Sequence, residues 1–122
     1  MKFILSLLLL GFGLAPTVIN AEEPPILLIL GDSLSAGYGM DREDSWVNLL
    51  NLRLKEYGYS YRILNSSISG DTTQGGLSRI SRLLERYEPE IVIIELGAND
   101  GLRGINPDIT RENITSMIQQ SQ

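Results

Sequence analysis

Three short stretches, each rich in small and polar residues, carry the side chains that can do chemistry. The first is Gly31-Asp32-Ser33-Leu34, the second contains Ser69-Gly70-Asp71-Thr72, and the third is Gly97-Ala98-Asn99-Asp100. A serine just past the end of a strand is well placed as a nucleophile, because the turn presents its hydroxyl to solvent. A neutral hydroxyl is a weak nucleophile and needs a general base. Its attack on a carbonyl also needs fixed donors aimed at the developing oxyanion. The backbone N–H at Ser33, the N–H of Gly70 and the side-chain amide of Asn99 supply three. Glycine at position 70 lets the backbone approach a substrate closely. Asn99 brings two N–H donors and no charge that would repel an anion. Asp32, next to the serine, is read as a carboxylate that braces the turn, since adjacent side chains rarely face each other.

Taken singly, each stretch also has an ordinary structural reading. Ser33 suits a turn or a cap, Gly70-Asp71 a turn leading into a helix cap, and Asn99-Asp100-Gly101 a turn. What favours chemistry is that the three occur in order, each after an expected strand. Residues 26–30 are a continuous apolar run, Ile-Leu-Leu-Ile-Leu, ending at Gly31-Asp32, as expected of a strand buried on both faces. Residues 61–65 read as a second strand, and residues 91–96, rich in β-branched side chains, as a third. Asp44 or Ser45 caps a helix that runs to about Tyr57, with Trp46, Leu49, Leu50 and Leu54 on its apolar face and Gly58 at its end. Asp71 or Thr72 opens a second helix, whose Leu77, Ile80, Leu84 and Tyr87 share one face and which ends before Pro89. Thr110 opens a third, with Ile114, Met117 and Ile118 on one side.

This β-α-β-α-β-α order predicts an α/β fold, a parallel sheet with helices on both faces and right-handed crossovers. In such sheets ligands bind beyond the carboxyl ends of the strands. All three stretches fall there, in the segments 31–39, 66–73 and 97–106. None of these segments is basic, none has phosphate-loop spacing, and none offers clustered metal ligands, so no cofactor or metal is expected.

The chain has 122 residues, a net charge of −5 and no cysteine. Its acidity leaves no electrostatic footprint for nucleic acid or anionic lipid, and there is no disulfide framework. The first 21 residues read as a secretory signal peptide: Lys2, an apolar run from Phe3 to Leu14, and Ala21 before the acidic Glu22-Glu23-Pro24-Pro25. The apolar run is short for a spanning helix of roughly 20 residues. The expectation is cleavage after Ala21, a single domain over residues 22–122, no stable membrane anchor, and a periplasmic or secreted location. About 100 residues suffice for one core.

Read together, the blocks resemble the SGNH or GDSL hydrolase family, and within it a bacterial subgroup of multifunctional esterases. Its first block matches Gly31-Asp32-Ser33-Leu34, its second Gly70, and its third Gly97-Ala98-Asn99-Asp100; the longer similar words are residues 30–38, 67–72 and 95–104. The resemblance covers most of residues 26–106. It implies a flavodoxin-like three-layer α/β/α fold with a parallel sheet. It implies Ser33 as nucleophile and oxyanion donor, with the Gly70 N–H and the Asn99 side chain as the other oxyanion donors. It also implies an acyl-enzyme on Ser33, and acyl thioesters, lysophospholipids and aryl esters as substrates. The family's last block, Asp-x-x-His, supplies the base and its orienting carboxylate. No histidine occurs among the 122 residues. The sequence therefore reads as the N-terminal part of such an enzyme, truncated after about three strands and inactive alone. Lys55 is a poor substitute base, since it lies near the far end of the first expected helix. The competing readings are a non-catalytic acyl- or carbohydrate-binding remnant and, on fold alone, a flavodoxin-like nucleotide binder that lacks the glycine-rich phosphate turn.

Overall fold

A computed structural model describes residues 22–122. The expected signal peptide, residues 1–21, lies outside the described residues. Strand β1 (Ile26–Gly31) is buried along its whole length. That follows from its composition: with no polar residue before Gly31 it has no face to give to water. It is the central strand of a three-stranded sheet, flanked by β2 (Arg62–Asn65) and β3 (Ile91–Glu95) in the order β2-β1-β3. Both pairings are parallel, with Leu28 opposite Leu64 on one side and opposite Val92 on the other.

The chain steps from β1 to β2, then back across β1 to β3. With right-handed crossovers, that reversal puts the two intervening helices on opposite faces. The first is α2 (Trp46–Glu56), capped by Ser45, whose side chain accepts from the Asn48 N–H. The second is α3 (Thr73–Tyr87), capped by Thr72 through the Gly75 N–H. On the α3 face, Leu30, Ile80 and Met117 form a fully buried centre, with Leu77, Leu84, Ile94, Leu96 and Ile114 packed around it. Met117 belongs to α5 (Pro107–Gln120), which packs along α3. Among the described residues, no helix is long and apolar enough to cross a membrane.

The parallel α/β sheet is as expected, and the departures are local. Helix α5 starts at Pro107 rather than Thr110, capped by Asn106, whose side chain accepts from the Asp108 N–H. Proline at the first helical position is favourable, because its missing N–H would have no helical partner there. Ile118, placed on the buried side of that helix, is 45 % exposed, and Leu49 of α2 is 54 % exposed. Two of the segments read as loops hold short helices, α1 (Ser33–Ala36) and α4 (Ala98–Leu102). Neither is long enough to show an apolar period.

Candidate functional site

Ser33 is the first residue of α1, the turn of helix that caps the carboxyl end of β1. Asp32 is its N-cap, accepting the Leu34 N–H at 2.9 Å, and Gly37 closes it in the left-handed conformation by donating to the Ser33 carbonyl. Asp32 thus braces the turn, as expected from the sequence. The strand must pass close beneath this turn. A Cβ on Gly31 would stand 2.6 Å from the Ser35 hydroxyl and 3.0 Å from a Glu95 carboxylate oxygen. Ser35 donates to Glu95 at 2.7 Å, and Asn65 donates to the Ser35 carbonyl at 2.7 Å, so β2 and β3 both hold α1 in place.

Gly70 lies in the turn before α3 with φ +80, a conformation that glycine alone adopts freely. Its carbonyl accepts from Arg103 at 2.9 Å. Its N–H, like that of Ser33, makes no hydrogen bond among the described residues. The next residue, Asp71, is gripped from below. The Arg79 guanidinium donates to its carboxylate through Nε at 3.1 Å and Nη2 at 2.8 Å, and also reaches the Ser66 carbonyl.

Asn99 is the second residue of α4, just beyond Gly97, whose φ of +123 again calls for glycine. Its side-chain nitrogen donates to the Asp71 carbonyl at 2.9 Å and to the Asp32 carboxylate at 3.3 Å. One carboxamide therefore bridges the loop of Gly70 and the turn of Ser33, and the structure brings the three expected residues into one cluster. The longer bond to Asp32 is the weaker of the two, so that N–H is the one an incoming anion can take over.

Sequence reasoning missed the support beneath this cluster. Asp100 is 1 % exposed and accepts from both the N–H and the hydroxyl of Thr73 and from the Thr110 hydroxyl at 3.2 Å. Asn113 completes the set by donating to the Thr73 hydroxyl at 3.0 Å. Burial by itself would raise the Asp100 carboxyl; the bonds from Thr73 and Thr110 outweigh it and hold the group below its ordinary range. The available signal was polar residues on otherwise apolar stripes, Thr73 seven residues before Ile80 and Asn113 four before Met117.

No group of three potential metal ligands occurs among the described residues. A cavity of about 510 Å3 lies between the end of α1, α2 and β2 and reaches none of Ser33, Gly70 and Asn99. The candidate site is instead an open rim at the carboxyl end of the sheet. Lys55 lines a hollow with Pro24 and Tyr61, at the opposite end of β1 and β2, which removes it as a base for Ser33.

A doubly wound sheet with this serine, glycine and asparagine beyond its strands defines a class, and comparison with known proteins agrees. Residues 29–122 match the GDSL-like lipase/acylhydrolase family, and the chain belongs to it. The chain is 51 % identical over 96 residues to the esterase TesA of Pseudomonas aeruginosa, a match covering 79 % of this chain and 48 % of that protein. It is 47 % identical over 100 residues to thioesterase 1/protease 1/lysophospholipase L1 of Escherichia coli K12, covering 82 % and 47 %. A crystal structure of TesA superposes with a TM-score of 0.77 at 51 % identity, over 79 % of this chain and 53 % of that one. The chain spans about half the length of the relatives it matches.

Proposed function

We propose that this site hydrolyses carboxylic esters and acyl thioesters through an acyl-enzyme on Ser33. The Ser33 oxygen adds to the carbonyl carbon and its proton passes to an imidazole. The oxyanion is held by the N–H groups of Ser33 and Gly70 and by the Asn99 side chain. Collapse expels the alcohol or thiol, which takes the proton back, and water repeats the sequence to release the acid. The imidazole belongs to an Asp-x-x-His segment of the family type; the 122 residues contain no histidine. They supply the nucleophile and the oxyanion donors. The observation that carries this reading is the Asn99 carboxamide, bonded at once to the carbonyl of Asp71, the residue after Gly70, and to the carboxylate of Asp32, the residue before Ser33. Acyl thioesters, lysophospholipids and aryl esters are the substrates it implies.

The test joins this chain in frame to the second half of the P. aeruginosa relative and assays an aryl ester and an acyl thioester. Ser33→Ala should reduce turnover to background, and full activity in that variant would refute the assignment. We further propose export through residues 1–21. Protein recovered from the periplasm should begin at Glu22, and an intact Met1 there would refute cleavage.

A further inference from the structure

Asp100 is a fully buried titratable group that the acyl-transfer chemistry does not use. Its neighbours show what it is for. The carboxylate stands at the amino end of α3, where it accepts the Thr73 N–H at 2.9 Å along with the Thr73 hydroxyl. From α5, Thr110 donates to the same carboxylate at 3.2 Å, and Asn113 donates to the Thr73 hydroxyl at 3.0 Å. The Thr73 oxygen therefore gives its own proton to Asp100 and receives one from Asn113. Both of these bonds are buried.

The placement in the chain matters as much as the bonds. Asp100 directly follows Asn99, and Thr73 lies three residues after Gly70. The two proposed oxyanion donors on separate loops are therefore each one short segment away from a single buried clamp. A second link, from Asn99 to the Asp71 carbonyl, runs parallel to the first at the surface of the site. That outer bond is made by the same carboxamide whose other N–H, the one on Asp32, serves the substrate. The inner clamp does not touch the substrate and can keep the loops in register throughout the reaction.

We propose that Asp100, with Thr73 and Asn113, is a positioning unit that sets the separation of the Gly70 N–H and the Asn99 side chain. It rests on the reading of Ser33, Gly70 and Asn99 given above. It works through geometry: oxyanion stabilisation needs donors about 2.7–3.1 Å from the charge, and a shift near 1 Å in a catalytic group costs on the order of 100-fold. Loosening the clamp should lower kcat and spare KM, because the donors act mainly on the transition state.

Two measurements test it. In the chain joined to the second half of its P. aeruginosa relative and 15N-labelled, Asp100→Asn should move the resonances of the Gly70 amide and the Asn99 carboxamide. It should also abolish the downfield position expected for a Thr73 N–H bonded to a buried carboxylate. In the chain joined to the second half of its P. aeruginosa relative, Asp100→Asn and Thr73→Val should each lower kcat roughly tenfold or more, with KM within about twofold. Thr73→Ser keeps the hydroxyl and the N–H and should restore kcat to within about twofold of the parent. Ile80→Val loosens the core without touching the clamp, so it should lower the urea midpoint but leave kcat alone, which separates positioning from stability. The proposal is overturned if Asp100→Asn retains kcat while Ser33→Ala abolishes it, or if Ile80→Val lowers kcat as much as Thr73→Val. Activity surviving Ser33→Ala would instead overturn the reading of the site.

Discussion

Gly75→Ala should destabilise the protein even though it replaces a glycine inside a helix. Gly75 sits in the first turn of α3, directly over the Asp71 carboxylate. A methyl group there would overlap Oδ1 outright and stand 2.8 Å from Cγ and 3.3 Å from Oδ2. Asp71 must swing away to admit it. Oδ2 then leaves Arg79, to which it is paired at 2.8 Å with both side chains largely shielded, 16 % and 13 % exposed. Oδ1 also leaves the Thr72 N–H at 3.1 Å. Breaking a buried pair costs about 3–5 kcal/mol, and this pair retains some solvent, so about half of that is the sensible scale. Against it stands the helix propensity gained from alanine, up to about 1 kcal/mol. The net expectation is a loss of about 1–2 kcal/mol, read from urea unfolding at constant m-value. The decisive comparison is a double-mutant cycle. In an Asp71→Ala background there is no carboxylate to displace, so Gly75→Ala should stabilise by about 0.5–1 kcal/mol. A reversal of sign between the two backgrounds is the signature of this mechanism. If Gly75→Ala were neutral or stabilising with Asp71 in place, the carboxylate would not be confined by Arg79 as argued.

Three further outcomes are expected. In the enzyme completed with a histidine-bearing second half, Asn99→Ala should lower kcat by roughly 100- to 1000-fold with KM little changed, as for other lost oxyanion donors; near-normal kcat would remove Asn99 from that role. The Asp100 carboxyl is held below its ordinary value in the folded protein. Its ionisation thus adds stability that is fully present above about pH 4, its unfolded value, and is lost as pH falls through the lower folded value. The stability gap between the parent and Asp100→Asn, followed by urea unfolding from neutral pH downward, should narrow in that acid window, and a constant gap would contradict the shift. Residues 22–122 expressed alone should show ester turnover near background and should self-associate through the free edge of β3, where Ile91 is 38 % exposed; a soluble monomer with full esterase activity would refute both expectations.

The sequence revealed the elements whose burial is one-sided or total. An uninterrupted Ile-Leu-Leu-Ile-Leu bounded by Pro25 and by Gly31-Asp32 reads as a buried strand by its length and its flanking turn residues, and the 3- and 7-residue spacing of Leu77, Ile80 and Leu84 suits one helix face. It did not reveal α1 and α4, because a helix of one turn has no period to detect. The start of α5 is marked by Asn106-Pro107, a cap residue followed by a proline suited to the first turn, whereas the spacing of Ile114, Met117 and Ile118 marks only the later turns. Leu49 illustrates a different failure. Its spacing is roughly helical, yet the half-buried face of α2 runs through Val47, Leu50, Asn51 and Leu54, and Leu49 falls beside it and remains exposed. The clustering of Ser33, Gly70 and Asn99 was legible because each follows a strand end, and all strands of a parallel sheet end on the same side. Asp71, Arg79 and Asp100 were not, since their function depends on partners 8 to 27 positions away in sequence, and separation along the chain says nothing about proximity.

The interior polar groups explain why so open a rim can still hold donors in place. The Asn99 carboxamide and the free N–H groups of Ser33 and Gly70 all lie where water competes for them, and a loop at a sheet end is ordinarily the most mobile part of a domain. Three devices oppose that mobility. Ser35 ties α1 to β2 and β3, Arg79 fixes Asp71 and Ser66 from α3, and Asp100 joins α4 to α3 and α5. Each of these bonds runs from a loop of the candidate site to a regular element, and none uses the Ser33 hydroxyl or the N–H groups of Ser33 and Gly70. A buried carboxylate costs several kcal/mol of desolvation unless fully bonded, so a hydrophobic residue at position 100 would be cheaper for folding alone. Retaining Asp100 with three donors on it makes physical sense where the geometry of the loop matters more than the last increment of stability.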